Sequence, residues 1–234
     1  MANNGIKDPD YVVGLDIGTS KVVCIIGKYV DQHSLEVVSM GSYPSSGLKK
    51  GVVVNIDATT DAIQKSIDQA QASFEGKIKN VYVGIAGNHI RSLNSHGIVG
   101  IKDKEVEASD IDRVIEAAQA VAIPSDQRVL HVLPQEYVID NQDSIREPLG
   151  MSGVRLESHV HLVTCANNAI QNIEKCVKRC GIGVDGFVLE QLASSYSVLS
   201  EDEKELGVCL VDIGGGTTDI AVFNSGSISF TGVI

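Results

Sequence analysis

The chain has 234 residues, 43% hydrophobic and 21% charged, ordinary globular proportions that exclude wholesale disorder. Lys plus Arg number 19 against 30 Asp plus Glu, a net charge of −11, and aromatics are 4% with no Trp. Neither a basic stripe for phosphate backbones nor a stacking platform for bases is on offer, so nucleic-acid binding is disfavoured. At roughly 150 residues per domain, the length suits one large domain or two modest ones.

Five scattered cysteines without a CxxC pair give neither a disulfide framework nor a zinc ribbon, and they fit a reduced, cytoplasmic setting. Met1 to Asp10 is polar and lacks the apolar centre of a signal peptide. No run of 18 apolar residues occurs, so no spanning helix is predicted.

Tyr11 to Tyr29 holds two β-branched runs around Gly18-Thr19-Ser20, which predicts two strands and a tight turn. A third strand is expected over Leu35 to Tyr43. Asp57 to Phe74 carries Ile63, Ile67, Ala70 and Phe74 at helical spacing, with Asp57 or Thr59 at the cap. Asn80 to Gly87 has the apolar, glycine-ended character of a buried strand.

Asn88 to Ser158 is more polar, with seven basic and twelve acidic residues, net −5. It predicts a helix over Ile111 to Ala122, capped by Ser109 or Asp110 and stopped before Pro124, with strands at Ile98 to Ile101 and Val129 to Ile139. This suits an inserted subdomain with an acidic face, although ordinary solvation explains the charge equally well. Buried-strand character returns at His159 to Cys165. Asn167 then caps a helix that Gly181 ends, Val184 to Leu189 is a strand, Leu192 to Leu199 a helix and Ser200 to Glu205 a polar loop. Leu206 to Asn224 is a second strand, turn and strand.

The two strand–turn–strand units repeat one pattern. Asp16-Ile-Gly aligns with Asp212-Ile-Gly, 196 residues on, and Thr19-Ser20 aligns with Thr217-Thr218 once Gly215 and Gly216 are allowed as an insertion. Such a period points to duplication of a whole domain. Glycine tolerates positive φ and has no Cβ, so successive backbone N–H groups can turn inward on an anion, and Thr and Ser add hydroxyl donors. A carboxylate at each strand end would repel a phosphate unless a hard cation lay between. Mg²⁺ keeps most of its waters, so Asp16 and Asp212 are expected to hold it largely through water. Two such turns would clamp a metal-bound triphosphate.

Leu15 to Lys21 resembles the first phosphate motif of the actin/Hsp70/sugar-kinase superfamily, and Val211 to Asp219 its second. Leu189 to Leu199 is similar to the connecting helix between the halves. Within the superfamily the resemblance is to the bacterial FtsA family. Gly47-Leu-Lys-Lys-Gly-Val-Val, Val129 to Tyr137, Leu149 to Arg155 and Val160 to Cys165 carry it through nearly the whole chain.

The resemblance implies an α/β, actin-like (ribonuclease-H-like) domain with an inserted α+β subdomain and a truncated second actin-like half. Residues 1–87 and 159–200 would be subdomain 1A, 88–158 the inserted 1C, and 201–234 the start of 2A. It implies ATP with Mg²⁺, and Asp16, Gly18, Thr19, Ser20 and Lys21 approaching the phosphates from one side. Gly214, Gly215, Gly216, Thr217 and Thr218 would approach from the other, with Asp212 by the metal. Glu190 falls where some superfamily members orient the attacking water, although Gln191 replaces a proline common in relatives. Slow ATP hydrolysis at most is expected.

The implied partners are other copies in protofilaments, FtsZ through 2B, the basic cytoplasmic tail of FtsN through 1C, and the membrane through a C-terminal helix. The implied place is the cytoplasmic face of the inner membrane at the division septum. Only 22 residues follow Asp212, so the expectation is an N-terminal fragment lacking 2B and the terminal helix, with weak ATP binding on its own.

Simpler readings accompany several residues. His159 and His161 share a strand face and lack a third metal ligand; Cys176 and Cys180 are expected as small core residues; Lys21 is either a phosphate ligand or a solvated turn lysine. A sugar kinase would need a carboxylate base and a polar sugar pocket, and neither motif is found. A pilus-assembly relative would share the fold and dock a short peptide instead. An Hsp70-like chaperone is disfavoured by where the insertion falls.

Overall fold

A computed structural model describes residues 11–31 and 34–234; the expectation for Met1 to Asp10 lies outside them. In chain order the elements are Tyr11–Ile17 (β1), Lys21–Tyr29 (β2), Leu35–Pro44 (β3), Leu48–Lys49 (β4), Val52–Val53 (β5), Ile56–Ala72 (α1), Asn80–Ile85 (β6), Ile90–Gly100 (β7), Ala108–Gln119 (α2), Gln127–Ile139 (β8) and Gln142–Ile145 (β9). Then come Arg155–Ala166 (β10), Asn167–Arg179 (α3), Gly183–Leu189 (β11), Glu190–Val198 (α4), Glu201–Leu206 (α5), Val208–Ile213 (β12), Thr218–Asn224 (β13) and Ser227–Val233 (β14). Among the described residues no helix is long and apolar enough to cross a membrane.

Two compact units emerge. The first comprises residues up to Ile85 together with Ala169–Val188 and Gly214–Gly216. Its sheet has the order β11-β6-β1-β2-β3, with β1 antiparallel to β2, β2 antiparallel to β3, and β1 parallel to β6. A three-stranded meander flanked by a parallel strand across a helical crossover is the expected α/β arrangement. Its core gathers Val13, Leu15, Ile17, Val22, Ile26, Val81 and Val83.

Helix α1 lays Ala62, Ile63, Ser66, Ile67 and Ala70 on this unit's core. It comes so near β3 that a Cβ on Gly41 would sit 1.9 Å from the Ser66 carbonyl oxygen. Asn55, rather than Asp57 or Thr59, caps α1 by accepting from the Ala58 N–H at 3.0 Å. Thr59 is buried instead, its hydroxyl donating back to the Asn55 carbonyl at 2.8 Å. Helix α3 runs beside α1, with Arg179 paired to Asp57 at 2.7 Å. Its buried face carries Ile170, Ile173, Cys176 and Val177, and Gly181 follows with φ +74, as the sequence predicted.

The second unit comprises Ala86–Asn168, Leu189–Ile213 and Thr217–Ile234. Its larger sheet has the order β7-β10-β8-β9. Helix α2 crosses β7 and β10, so close that a Cβ on Gly97 would lie 2.3 Å from the Val114 carbonyl oxygen. The core below it holds Val106, Val114, Tyr137, Ile139, Ile145 and Leu156. The helix begins at Ala108, earlier than expected: Glu107 is its N-cap, and Asp110 acts from the third helical position by accepting from the Glu107 N–H at 3.1 Å. The strand expected at Ile98 to Ile101 is the end of a much longer β7. The expected boundary at Ser158/His159 falls inside β10, which pairs continuously with β7 from Arg155 to Cys165.

The second sheet of this unit, β12-β13-β14, packs Ala221, Phe223 and Ile228 together with Leu133, Leu199, Val208 and Leu210. Strand β14 lies by the larger sheet: Gln135 Nε2 donates to the Ile228 carbonyl at 2.9 Å, and the Ser227 hydroxyl donates to the Gln135 carbonyl at 2.8 Å. Two local expectations fail here. Ser200 to Glu205 is no loop, because Ser200 caps α5 and Glu203 reaches back to the Ser200 N–H at 2.8 Å. Asn167 is the first residue of α3 rather than its cap; its N–H donates to the Asp126 carbonyl at 2.8 Å and its amide to the Ser125 carbonyl.

Candidate functional site

The first turn is built by the β1–β2 hairpin. Asp16 stands near the end of β1 opposite Val23, and its side chain is exposed while its neighbours Leu15 and Ile17 enter the core. The Gly18 N–H donates to the Lys21 carbonyl at 3.0 Å, which closes the loop over Thr19 and Ser20. A Cβ on Gly18 would lie 3.0 Å from that same oxygen. Thr19 is half-buried and its Oγ1 accepts from the Gly51 N–H at 3.4 Å. Ser20 and Lys21 are exposed, and the Ser20 carbonyl accepts from the Ser45 N–H at 3.0 Å.

Gly214–Gly216, the centre of the second turn, belongs to the same unit and lies directly against the first turn. A Cβ on Gly215 would fall 2.9 Å from Ser20 Cβ, and one on Gly216 would fall 2.9 Å from both Thr19 Cγ2 and Oγ1. The sequence had suggested these glycines both for their tolerance of positive φ and for their lack of a Cβ. None of Gly18, Gly214, Gly215 and Gly216 is in the left-handed region. Their use is close approach: at Gly215 and Gly216 any side chain would wedge the turns apart.

The flanks of the second turn belong to the second unit. Asp212 on β12 and Asp219 on β13 are direct cross-strand partners. Asp219 is 4% exposed; its Oδ1 accepts from Gln191 Nε2 at 2.9 Å and its Oδ2 from the Thr217 hydroxyl at 2.9 Å. Burial holds this carboxyl above its ordinary range, the Thr217 hydroxyl draws it back, and the Asp212 charge adds to the rise. Asp212 Oδ2 accepts from the Ser194 hydroxyl at 3.1 Å. The Thr218 N–H donates to the Ile234 carbonyl at 2.9 Å, so this backbone donor is committed to the sheet. Glu190 opens α4 and is half-buried.

Asp219, Gln191 and Ser194 were not singled out from the sequence as site residues. The signal for Asp219 was present, since the second copy of the repeat ends in Asp where the first has Lys21. Gln191 carried no such signal, because only the fold brings α4 to β12 and β13.

Among the described residues no group of three or more His, Cys, Asp and Glu side chains is placed to hold a metal ion by itself. The buried Gln191 Oε1, which has no hydrogen-bond partner, marks a polar site with capacity left over. His159 and His161 do face one way, yet each is engaged elsewhere. His161 is buried between Asn94 and Thr231, and His159 lies between Glu136 and Glu157. Cys176 is buried in the core and Cys180 is half-buried, and burial raises both thiols, that of Cys180 to about 11, which disfavours the thiolate.

A family model described as the SHS2 domain inserted in FtsA matches residues 87–164. The chain is 69% identical over 229 residues to the cell division protein FtsA of Pseudomonas aeruginosa, an alignment covering 98% of the chain and 55% of that protein. It is 54% identical to the FtsA of Neisseria meningitidis and 46% to that of Escherichia coli K12, covering 96% and 97% of the chain and 54% of each relative. The chain thus spans about half the length of the relatives it matches.

Among solved structures, the PilM–PilN type IV pilus biogenesis complex superposes with a TM-score of 0.66 at 14% identity, covering 95% of this chain and 61% of that one. The ethanolamine utilization protein EutJ of Carboxydothermus hydrogenoformans superposes with a TM-score of 0.53 at 16% identity, covering 97% and 52%. At such identities these two bear on the fold alone, which is the actin-like α/β arrangement with its inserted α+β subdomain.

Proposed function

Because the chain belongs to the FtsA family of cell division proteins over the stretch it covers, we propose that it is the N-terminal part of an ATP-binding, actin-like protein of the bacterial divisome. The observation that carries the nucleotide reading is the contact of the two glycine-rich turns, Gly215 on Ser20 and Gly216 on Thr19. Turns so close, lined by backbone N–H groups and hydroxyls, suit a polyphosphate. Thr19, Ser20 and Lys21 would donate from the first turn; from the second, Gly214, Gly215, Gly216 and Thr217 would donate through backbone N–H groups and Thr218 through its hydroxyl. Asp16 and Asp212 would meet a hydrated Mg²⁺, which neutralises phosphate charge where the protein is itself acidic.

Nothing in the arrangement is built as a fast catalytic base. Glu190 is the one candidate to orient water, so ATP serves here chiefly as an assembly ligand, with slow turnover at most. The division into 1A (1–87 and 159–200), 1C (88–158) and 2A (from 201) belongs to this proposal; the match of residues 87–164 to the inserted domain supports its start at 88 and carries its end on to the close of β10. So do polymerisation, linkage of the FtsZ ring to the inner membrane, and contact of 1C with the FtsN tail at the septum.

The test is isothermal titration of the full-length protein with ATP, with and without Mg²⁺, followed by co-sedimentation with FtsZ. Micromolar, magnesium-dependent affinity and FtsZ-dependent pelleting are expected. Full-length protein that binds no nucleotide would overturn the reading, and absence of FtsZ binding would return it to the pilus-type alternative.

A further inference from the structure

The flanks of the second turn pose an electrostatic problem that the fold answers from one helix. Asp212 and Asp219 are directly opposed across β12 and β13, a like-charge pair that destabilises a sheet. Two side chains of α4, one helical turn apart, each donate to one of them: Gln191 to Asp219 at 2.9 Å and Ser194 to Asp212 at 3.1 Å. Gln191 is 1% exposed, so its amide is fixed by packing as well as by the bond. The second oxygen of Asp219 takes the Thr217 hydroxyl proton. A hydroxyl has one proton, so Thr217 is left presenting only lone pairs at the turn. The cluster therefore offers acceptor oxygens alone: two carboxylates and a committed hydroxyl, with the spare Gln191 Oε1 behind them.

We propose that Gln191 and Ser194 are positioning residues that hold Asp219 and Asp212 for a hydrated divalent cation, so that α4 is mechanically tied to whether that cation is present. This rests on the nucleotide reading above and deepens it by naming the side chains that hold the carboxylates flanking the second turn. Groups that orient metal-facing carboxylates are worth roughly 10–100-fold in metal affinity.

The test uses full-length protein and Mn²⁺ as the probe, with free Mn²⁺ read by electron paramagnetic resonance, alone and with ATP, and ATP affinity measured separately in EDTA. The variants are Gln191→Leu, which keeps the volume, Ser194→Ala, and Ser194→Thr, which restores the hydroxyl. Expected is about a tenfold loss of Mn²⁺ affinity in Q191L and S194A, near wild-type affinity in S194T, and unchanged ATP affinity in EDTA for all three. Hydrogen exchange of α4 should slow on Mn²⁺ addition in the wild type and not in Q191L. Equal Mn²⁺ affinity in wild type, Q191L and S194A, or S194T behaving as S194A, would overturn the positioning role while leaving nucleotide binding intact. A wild type that binds neither Mn²⁺ nor ATP would overturn both readings together.

Discussion

Gly216 lies against Thr19 with no room for a methyl group: a Cβ there would stand 2.9 Å from both Thr19 Cγ2 and Thr19 Oγ1. Gly216→Ala should therefore separate the two turns. Overpacking of this kind costs about 1–3 kcal/mol. The expected outcome is a lower melting temperature and loss of the stabilisation that MgATP gives the wild type, measured by thermal shift. Thr19→Ala in the same chain should restore the melting temperature without restoring the ligand effect, because the space returns and the hydroxyl does not. If G216A is stabilised by MgATP as strongly as wild type, the close approach has no part in binding.

Much of this fold was legible because its strands are strongly patterned. The run from Tyr11 to Tyr29 alternates apolar residues around one small turn, and β1 and β2 appear where that pattern puts them. The duplicated Asp-Ile-Gly loops were legible as a pair, and the structure sets Gly215 and Gly216 on Ser20 and Thr19. What the sequence hid was set by tertiary context. The short helix α5 depends on two reciprocal bonds at Ser200, which outweigh the loop-like polarity of the segment. Which of glycine's two uses applies, positive φ or clearance, could not be told from sequence because both call for the same residue; at Gly215 and Gly216 it is clearance. Gln191 was invisible as a partner of Asp219 because 28 residues separate them and no spacing rule links a helix to a strand that follows it.

Asp219 contributes to the stability of the unliganded protein a part that falls as pH rises above about 3.8. Its carboxyl titrates near 3.8 in the unfolded chain and higher in the fold, burial being the main cause. Between those two values the folded state binds more protons, so the contribution to stability is greatest below about 3.8 and is lost as pH rises through the folded value. Asp219→Asn removes this burden while keeping an oxygen for Gln191. Its melting temperature without ligand should equal or exceed wild type at pH 7, and the advantage should vanish at pH 3.5. The gain in ATP affinity on adding Mg²⁺ should meanwhile fall about tenfold. A D219N protein less stable than wild type at pH 7 would show that the carboxylate's hydrogen bonds outweigh its desolvation.

Ser200 decides whether α5 exists. Its hydroxyl accepts from the Glu203 N–H at 3.3 Å, and a helix of only six residues has little else to hold its first turn. Ser200→Ala should cost about 1 kcal/mol. The loss should be local: faster amide exchange at Glu203, Lys204 and Glu205, with β12 and β13 unchanged. Lys204, whose side chain is buried beside Glu201 and over the Tyr196 ring, would become more exposed and more readily acylated. Unchanged exchange in S200A would mean that Lys204 packing, and not the cap, holds the segment.

Acid should weaken the start of α4 through His131. Its Nε2 accepts the Leu189 N–H at 2.9 Å, and Leu189 is the residue from which α4 departs. An acceptor nitrogen carries no proton, so imidazolium and this bond exclude each other. Burial pushes the titration of His131 below its ordinary 6.5, and does the same at His89 and His161 in the same unit. The unfolded chain thus takes up protons first, and stability that is complete above about 6.5 is lost as pH falls through the lower folded values. Melting temperature should drop between pH 7.5 and 5.5, and exchange at the Leu189 amide should rise before that of β10. His131→Gln offers an amide oxygen that cannot titrate in this range; it should cost about 1 kcal/mol at pH 7.5 and show a shallower acid slope. A slope equal to wild type would assign the acid sensitivity to His89 and His161 instead.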